Sequence, residues 1–209
     1  MSRVGIVGGT FDPVHLGHIA MAEAAARCAE LDEVLLVPVS TPPHKAPATA
    51  SAADRLEMCR LAVAGRPRFG VSDIELRRPG PSYTVDTLRA LAGERPRDEL
   101  YLVLGWDAAR EIGSWREPDE VMRLSRLVIV SRPGWKGPAA ADFRAAGIES
   151  ARAVLCDAHT PDIEATEIRQ RVEGGASLDG LLAPAVQDYI RRRRLYALER
   201  GPSGHNRFR

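Results

Sequence analysis

The 209-residue chain has almost no net charge: 29 basic residues stand against 28 acidic ones, for a formal +1. That balance gives no support to a general nucleic-acid or membrane-surface role, so any positive field must be local to a site. Cysteine is scarce as well. Cys28, Cys59 and Cys156 are far apart, odd in number and without C-x-x-C spacing. This argues against both a disulfide framework and a zinc–cysteine site. They are expected to be reduced, buried thiols of a cytoplasmic protein. No apolar run approaches the roughly 20 residues of a membrane span. Arg3 is followed by only four residues before a glycine turn, which is unlike a signal peptide. Two nucleotide fingerprints are also missing. Gly5, Gly8 and Gly9 do not spell G-x-G-x-x-G, and no Gly-Lys-Ser/Thr follows them.

What is present is an ordinary globular composition, 44% apolar and 27% charged, in a chain long enough for one well-buried core or at most two small domains. Short apolar runs alternate with helix-like segments. Val4–Val7, Val34–Val37, Leu100–Leu104 and Leu127–Val130 read as strands covered on both faces, and Ala153–Cys156 as a weaker one. Phe69–Leu76 alternates apolar and polar residues and predicts a strand partly open to solvent. Helices are predicted over Ala20–Ala29, from a Ser51–Asp54 capping box to about Val63, from Thr84 to Leu91, over Thr166–Val172 and over Ala185–Leu198. Residues 38–50 are rich in Pro, Thr and Ala and read as an exposed loop. Such a βαβα alternation favours an α/β three-layer domain with a parallel sheet. Ligands of these sheets sit outside the carboxyl ends of the strands, and the chemically interesting residues do cluster just after apolar runs. Residues 191–194 are four consecutive arginines, read as the solvated end of an amphipathic helix.

The stretch Gly8-Gly9-Thr10-Phe11-Asp12-Pro13-Val14-His15-Leu16-Gly17-His18 lies between the first strand and the first helix. A glycine turn there presents backbone N–H groups at a helix N-terminus, which suits an anion. Glycines alone equally suit a plain tight turn. His15 and His18 shift the balance, because residues i and i+3 share one helix face. Their spacing would allow a metal, yet no third ligand is evident nearby. Contact with phosphate is the better reading: imidazole N–H donors can stabilise charge developing on a phosphoryl group.

This stretch resembles the GGTFDPxHxGH signature of the H-x-G-H nucleotidyltransferases. Four further motifs, Pro38-x-x-x-Pro42-Pro43-His44-Lys45, Ser82-Tyr83-Thr84-x-Asp86-Thr87, Gly105-x-Asp107 and Ser131-Arg132-Pro133-Gly134, resemble the bacterial nicotinate-mononucleotide adenylyltransferases. The likeness runs from Val4 to about Tyr196. It implies an α/β, Rossmann-like three-layer αβα fold, taken as a single domain over 1–199 with a small helical C-terminal part over about 166–199. Residues 200–209 are expected to fray. The implied partners are ATP and nicotinate mononucleotide, with Mg²⁺ bound with the ATP and no protein metal cage, no nucleic acid and no membrane. The sister activities on nicotinamide mononucleotide or phosphopantetheine, and a non-catalytic nucleotide-binding role, are the alternatives. The residues leave open whether the chain forms a homo-oligomer.

The resemblance also assigns roles. His15, His18 and Lys45 are the catalytic candidates. Gly8, Gly9, Thr10, Phe11, His15, His18, Gly105, Asp107, Ile163, Thr166 and Arg169 are implied at ATP, with Thr166 capping the helix of Arg169. Thr10, Phe11, His44, Lys45, Ser82, Tyr83, Thr84, Trp115 and Arg132 are implied at the mononucleotide, with Trp115 stacked on the ring. Glu164 departs from the family pattern, which has serine there. A carboxylate so placed suits a helix dipole but would repel a triphosphate if turned inward, so Glu164 is expected to point away.

Overall fold

The computed structural model describes residues 1–41, 47–131, 138–158 and 160–197. Six strands, β1 (Arg3–Gly9), β2 (Glu33–Pro38), β3 (Phe69–Val71), β4 (Glu99–Gly105), β5 (Arg126–Val130) and β6 (Ala153–Cys156), form one sheet. Every pairing is parallel, and the order is β3-β2-β1-β4-β5-β6. The strand order reverses between β1 and β4, which is where α/β sheets open a ligand crevice.

The strands explain the layers. Successive side chains point to opposite faces, and here both faces are apolar. Val4, Ile6, Leu35, Val37, Leu100, Leu102, Leu127 and Ile129 enter one core. Val7, Val34, Leu36, Tyr101, Val103, Val128 and Val130 enter the other. The second core is closed by α1 (Leu16–Cys28), α2 (Ala52–Val63), α7 (Ala165–Glu173) and α8 (Pro184–Arg193). The first is closed by α3 (Thr84–Glu94), α4 (Trp106–Ala109), α5 (Pro118–Leu124) and α6 (Ala140–Ala145). Leu127 and Ile129 are almost fully buried, each stabilising by about 1.5–3 kcal/mol. The expected three-layer α/β architecture is the one observed. Among the described residues no helix is long and apolar enough to cross a membrane.

Several local expectations need correction. The strand read over Phe69–Leu76 stops at Val71. Ser72 still donates its N–H to Leu36, but its hydroxyl then accepts the Ile74 N–H and starts a turn. The last helix ends at Arg193 instead of Leu198, because Arg194 and Tyr196 take left-handed φ values of 52° and 62°. The chain thereby turns back and buries Tyr196. Residue 198 and the tail 200–209 lie outside the described residues. Helix α7 starts at Ala165 with Glu164 as its flanking residue, so Thr166 is not its cap. The largest correction concerns cysteine. Cys28, at the end of α1, and Cys156, at the end of β6, form a disulfide with Cα atoms 5.8 Å apart. Their 128-residue separation in sequence concealed that the two ends meet. Cys59 is the buried free thiol that was expected, and burial pushes its pKa up.

Candidate active site

The site is built on the crossover from β1 to α1. Gly9 ends the strand where a Cβ would come within 2.9 Å of the Phe11 ring. Phe11 itself takes a left-handed φ of 50°, which turns its side chain into the core. Its ring meets the His18 ring edge-on at 4.9 Å. The next residue is a hub. The buried Asp12 carboxylate accepts the N–H groups of Thr49 (2.7 Å) and Ala50 (3.0 Å) and the Tyr196 hydroxyl (2.8 Å). The Asp12 carbonyl accepts from Arg169 Nη1 at 2.7 Å.

A second buried group fixes the other side. Arg55 is 2% exposed. Its Nη1 donates to the carbonyls of Thr10 and Val39, both at 2.7 Å, and its Nε to Ala50 at 3.3 Å. It thus clamps the turn after β1 to the loop after β2. Burial lowers the Arg55 pKa, and the charge of Asp12 is the main opposing influence. Neither Asp12 nor Arg55 received a role from the sequence. Arg55 did leave a signal: with Met58, Cys59 and Ala62 it occupies the buried face of α2, where a charged residue must be partnered.

His15 flanks the start of α1 in extended conformation, and His18 lies one turn on. The His15 N–H donates to His18 Nδ1 at 3.2 Å. Neutral His18 therefore carries its proton on Nε2. The two rings stack at 3.6 Å with a 26° tilt. Gly17 makes this possible, since a Cβ there would stand 3.0 Å from His15 Nδ1 and 3.1 Å from the Pro161 carbonyl. His15 is 8% exposed, and its Nδ1 has no hydrogen-bond partner. Burial lowers its pKa from 6.5 to about 4, so it is neutral at pH 7.

Above pH 6.5 His15 is neutral folded and unfolded, and its protonation contributes nothing. Between pH 6.5 and about 4 only the unfolded chain takes up the proton, so folding stability falls as pH falls. The full loss is on the order of 3 kcal/mol. Thermal melts should show His15→Gln losing less stability than the unsubstituted chain between pH 7 and 4.5. Equal losses would contradict a buried neutral His15.

Two cavities open at the crossover. One, of about 310 Å³, is lined by His15, Gly17, His18, Gly105, Asp107, Ser131 and residues Thr160 to Glu164. The other, of about 290 Å³, is mainly apolar and is lined by Gly8, Gly9, Thr10, Val37, Leu102 and Leu104, with Ser82, Tyr83, Thr84 and Trp115 at one side. Ala108 lines both. The ends of β1, β2 and β4 bound the apolar cavity and the ends of β4 and β5 the polar one, on either side of the point where the strand order reverses.

The cytidylyltransferase-like family matches residues 6–171. "Probable nicotinate-nucleotide adenylyltransferase" of Synechococcus sp. is 45% identical over 93% of this chain and 94% of its own. The protein of that name from Thermus thermophilus is 43% identical over 93% and 99%. The chain belongs to the cytidylyltransferase-like family, in its nicotinate-nucleotide adenylyltransferase branch. The fold of this adenylyltransferase-family chain also matches that of Plasmodium falciparum nicotinic acid mononucleotide adenylyltransferase complexed with NaAD. That match has a TM-score of 0.77 at 19% identity, over 94% of this chain and 98% of the other.

The residues singled out from the sequence of this adenylyltransferase-family chain divide between the cavities. His15, His18, Gly105, Asp107 and Ile163 line the polar one. Thr10, Ser82, Tyr83, Thr84 and Trp115 line the apolar one, together with Gly8 and Gly9, which had been assigned to ATP. Phe11, Thr166 and Arg169 line neither: Phe11 is interior, and Arg169 is held by the Asp12 carbonyl and the Thr166 hydroxyl. Glu164 is exposed, lines the polar cavity and makes no side-chain cap bond. Ser82 contributes to the loop scaffold, its hydroxyl accepting the Ser40 N–H at 3.1 Å. His44, Lys45 and Arg132 lie outside the described residues.

Proposed function

We propose that the chain transfers the adenylyl group of ATP to nicotinate mononucleotide, giving deamido-NAD and pyrophosphate in the biosynthesis of NAD. The observation that carries this reading is the pairing of two chemically different cavities across one crossover. The polar cavity brings two imidazoles to a triphosphate, and its acidic residues Asp107, Asp162 and Glu164 suit one that arrives with a cation. The apolar cavity with Trp115 and Tyr83 suits an aromatic ring. In the first turn of α3, the N–H groups of Thr84 and Val85 have no intrahelical acceptor and suit the ring's carboxylate.

The attacking group is an ionised phosphate oxygen of the mononucleotide, so no general base is needed. A bond forms from that oxygen to the α-phosphorus of ATP. The bond from the α-phosphorus to the bridging oxygen breaks, and its electron pair leaves with pyrophosphate. The protein's part is to hold two anions in line and offset their repulsion. His18 donates from Nε2 toward the developing charge, and neutral His15 backs its ring. Lys45 supplies a cation to the phosphates, and the exposed Gly8 lets the acceptor approach the backbone.

Among the described residues no group of three His, Cys, Asp or Glu could cage a metal ion. The donors present fit an ion carried by phosphate oxygens and water, with Asp107 in the polar cavity on the water side. Magnesium, when bound with ATP, would supply charge neutralisation to the departing pyrophosphate.

The test is pyrophosphate release from ATP with each candidate acceptor. Release with nicotinate mononucleotide is expected, and its absence overturns the reading. Trp115→Ala should raise KM for the pyridine substrate about tenfold or more with little change in KM for ATP. An effect confined to ATP contradicts the stacking role.

A further inference from the structure

The apolar cavity contains a charge pattern that the motifs did not announce. Of the described residues that line it, only Glu75 and Arg116 are charged types. Glu75 is 6% exposed; its Oε1 accepts the Thr87 hydroxyl at 2.7 Å, and its Oε2 has no hydrogen-bond partner. Arg116 follows Trp115 directly. Its guanidinium carbon stands 4.7 Å from the centre of the Tyr83 ring, in a cation–π contact. Its nearest carboxylates are Asp86, 3.8 Å from Nη1, and Glu117, 3.6 Å from Nε. Neither is at hydrogen-bond distance, and the Arg116 side chain is half exposed, so these ion pairs are weak. Tyr83 thus orients the planar N–H fork, and no strong partner claims it.

We propose that Arg116 is the residue that selects a carboxylate over an amide on the pyridine ring. The proposal rests on the assignment of the apolar cavity to the mononucleotide ring. Both forms of the mononucleotide carry the same pyridinium charge, so Glu75 meets them alike. They differ by one negative charge on the ring substituent. A guanidinium attracts a carboxylate through two parallel hydrogen bonds. Toward the amide it offers no matching charge, and it repels the cationic ring. Exchanging the loose contacts with Asp86 and Glu117 for a two-pronged contact with substrate gains hydrogen bonds without leaving a buried charge behind.

The test is equilibrium binding by titration calorimetry of nicotinate mononucleotide and nicotinamide mononucleotide to the full chain, Arg116→Gln and Arg116→Lys. Arg116→Gln should weaken binding of the acid by roughly 10- to 100-fold and of the amide by no more than about threefold. Arg116→Lys should recover part of the acid affinity, since it restores the charge without the fork. Melting temperatures report whether the variants are folded. Unchanged acid affinity in Arg116→Gln, or an equal loss for acid and amide, overturns the role of Arg116 while leaving the adenylyl-transfer reading intact. Failure of the unsubstituted chain to bind either mononucleotide overturns both.

Discussion

Replacing His18 by alanine should leave a folded protein whose kcat is lower by roughly 10²- to 10³-fold, the scale of losing one donor to a transition-state oxyanion. Two observations carry this expectation. His18 lines the polar cavity and is only partly buried, so its loss opens no large core void. Its Nδ1 is committed to the His15 N–H, which leaves Nε2 as the donor. His18→Asn separates the two duties. Asparagine can still accept the His15 N–H, so stability should hold, but it does not extend a donor to the same place. Both variants should show the loss in kcat with nearly unchanged KM for either substrate. Near-normal turnover in either variant would remove His18 from the chemistry.

Asp12→Ala should destabilise the fold by roughly 3–5 kcal/mol, read as a lower urea midpoint at unchanged slope. Among the described residues the carboxylate is the acceptor for three donors: the N–H groups of Thr49 and Ala50 and the Tyr196 hydroxyl. Burial makes an orphaned donor costly, and alanine reaches none of them. Arg55 would also lose the charge that opposes its desolvation. Tyr196→Phe removes one donor together with its need for a partner and should cost only about 1 kcal/mol. Turnover should fall with Asp12→Ala as well, because Asp12 ties the 49–50 segment and the C-terminal turn to the loop that presents His15. A loss below about 1 kcal/mol would mean that the hub does not hold the loop.

Much of this arrangement was legible in the chain. Strands such as Val34–Val37 and Leu127–Val130 are short, continuous apolar runs, and burial on both faces is what such runs require. The H-x-G-H segment pointed to the crossover that carries the candidate site, and its two histidines stack there. What escaped detection depends on distance or on brevity. Helices α5 and α6 have seven and six residues, too few for a helical period to emerge. Pro118, Asp119 and Glu120 nonetheless mark the start of α5. The disulfide joins residues that only the packing of α1 against β6 brings together. The hydrogen-bond donors to the Asp12 carboxylate lie 37, 38 and 184 residues away, so no local pattern could reveal the hub. Arg116 was hidden for a different reason: an exposed arginine in a charged loop looks ordinary until the cavity beside it is seen.

The central claim is that one crossover brings an ATP α-phosphate to the phosphate of a pyridine mononucleotide. Incubation with ATP labelled at the α-phosphorus tests it most directly. With nicotinate mononucleotide as acceptor, the label should move into a dinucleotide of the mass of deamido-NAD, the released pyrophosphate should be unlabelled, and the His18→Ala chain should do the same far more slowly. Label that stays in ATP, or that moves only to an acceptor without a pyridine ring, would contradict the account.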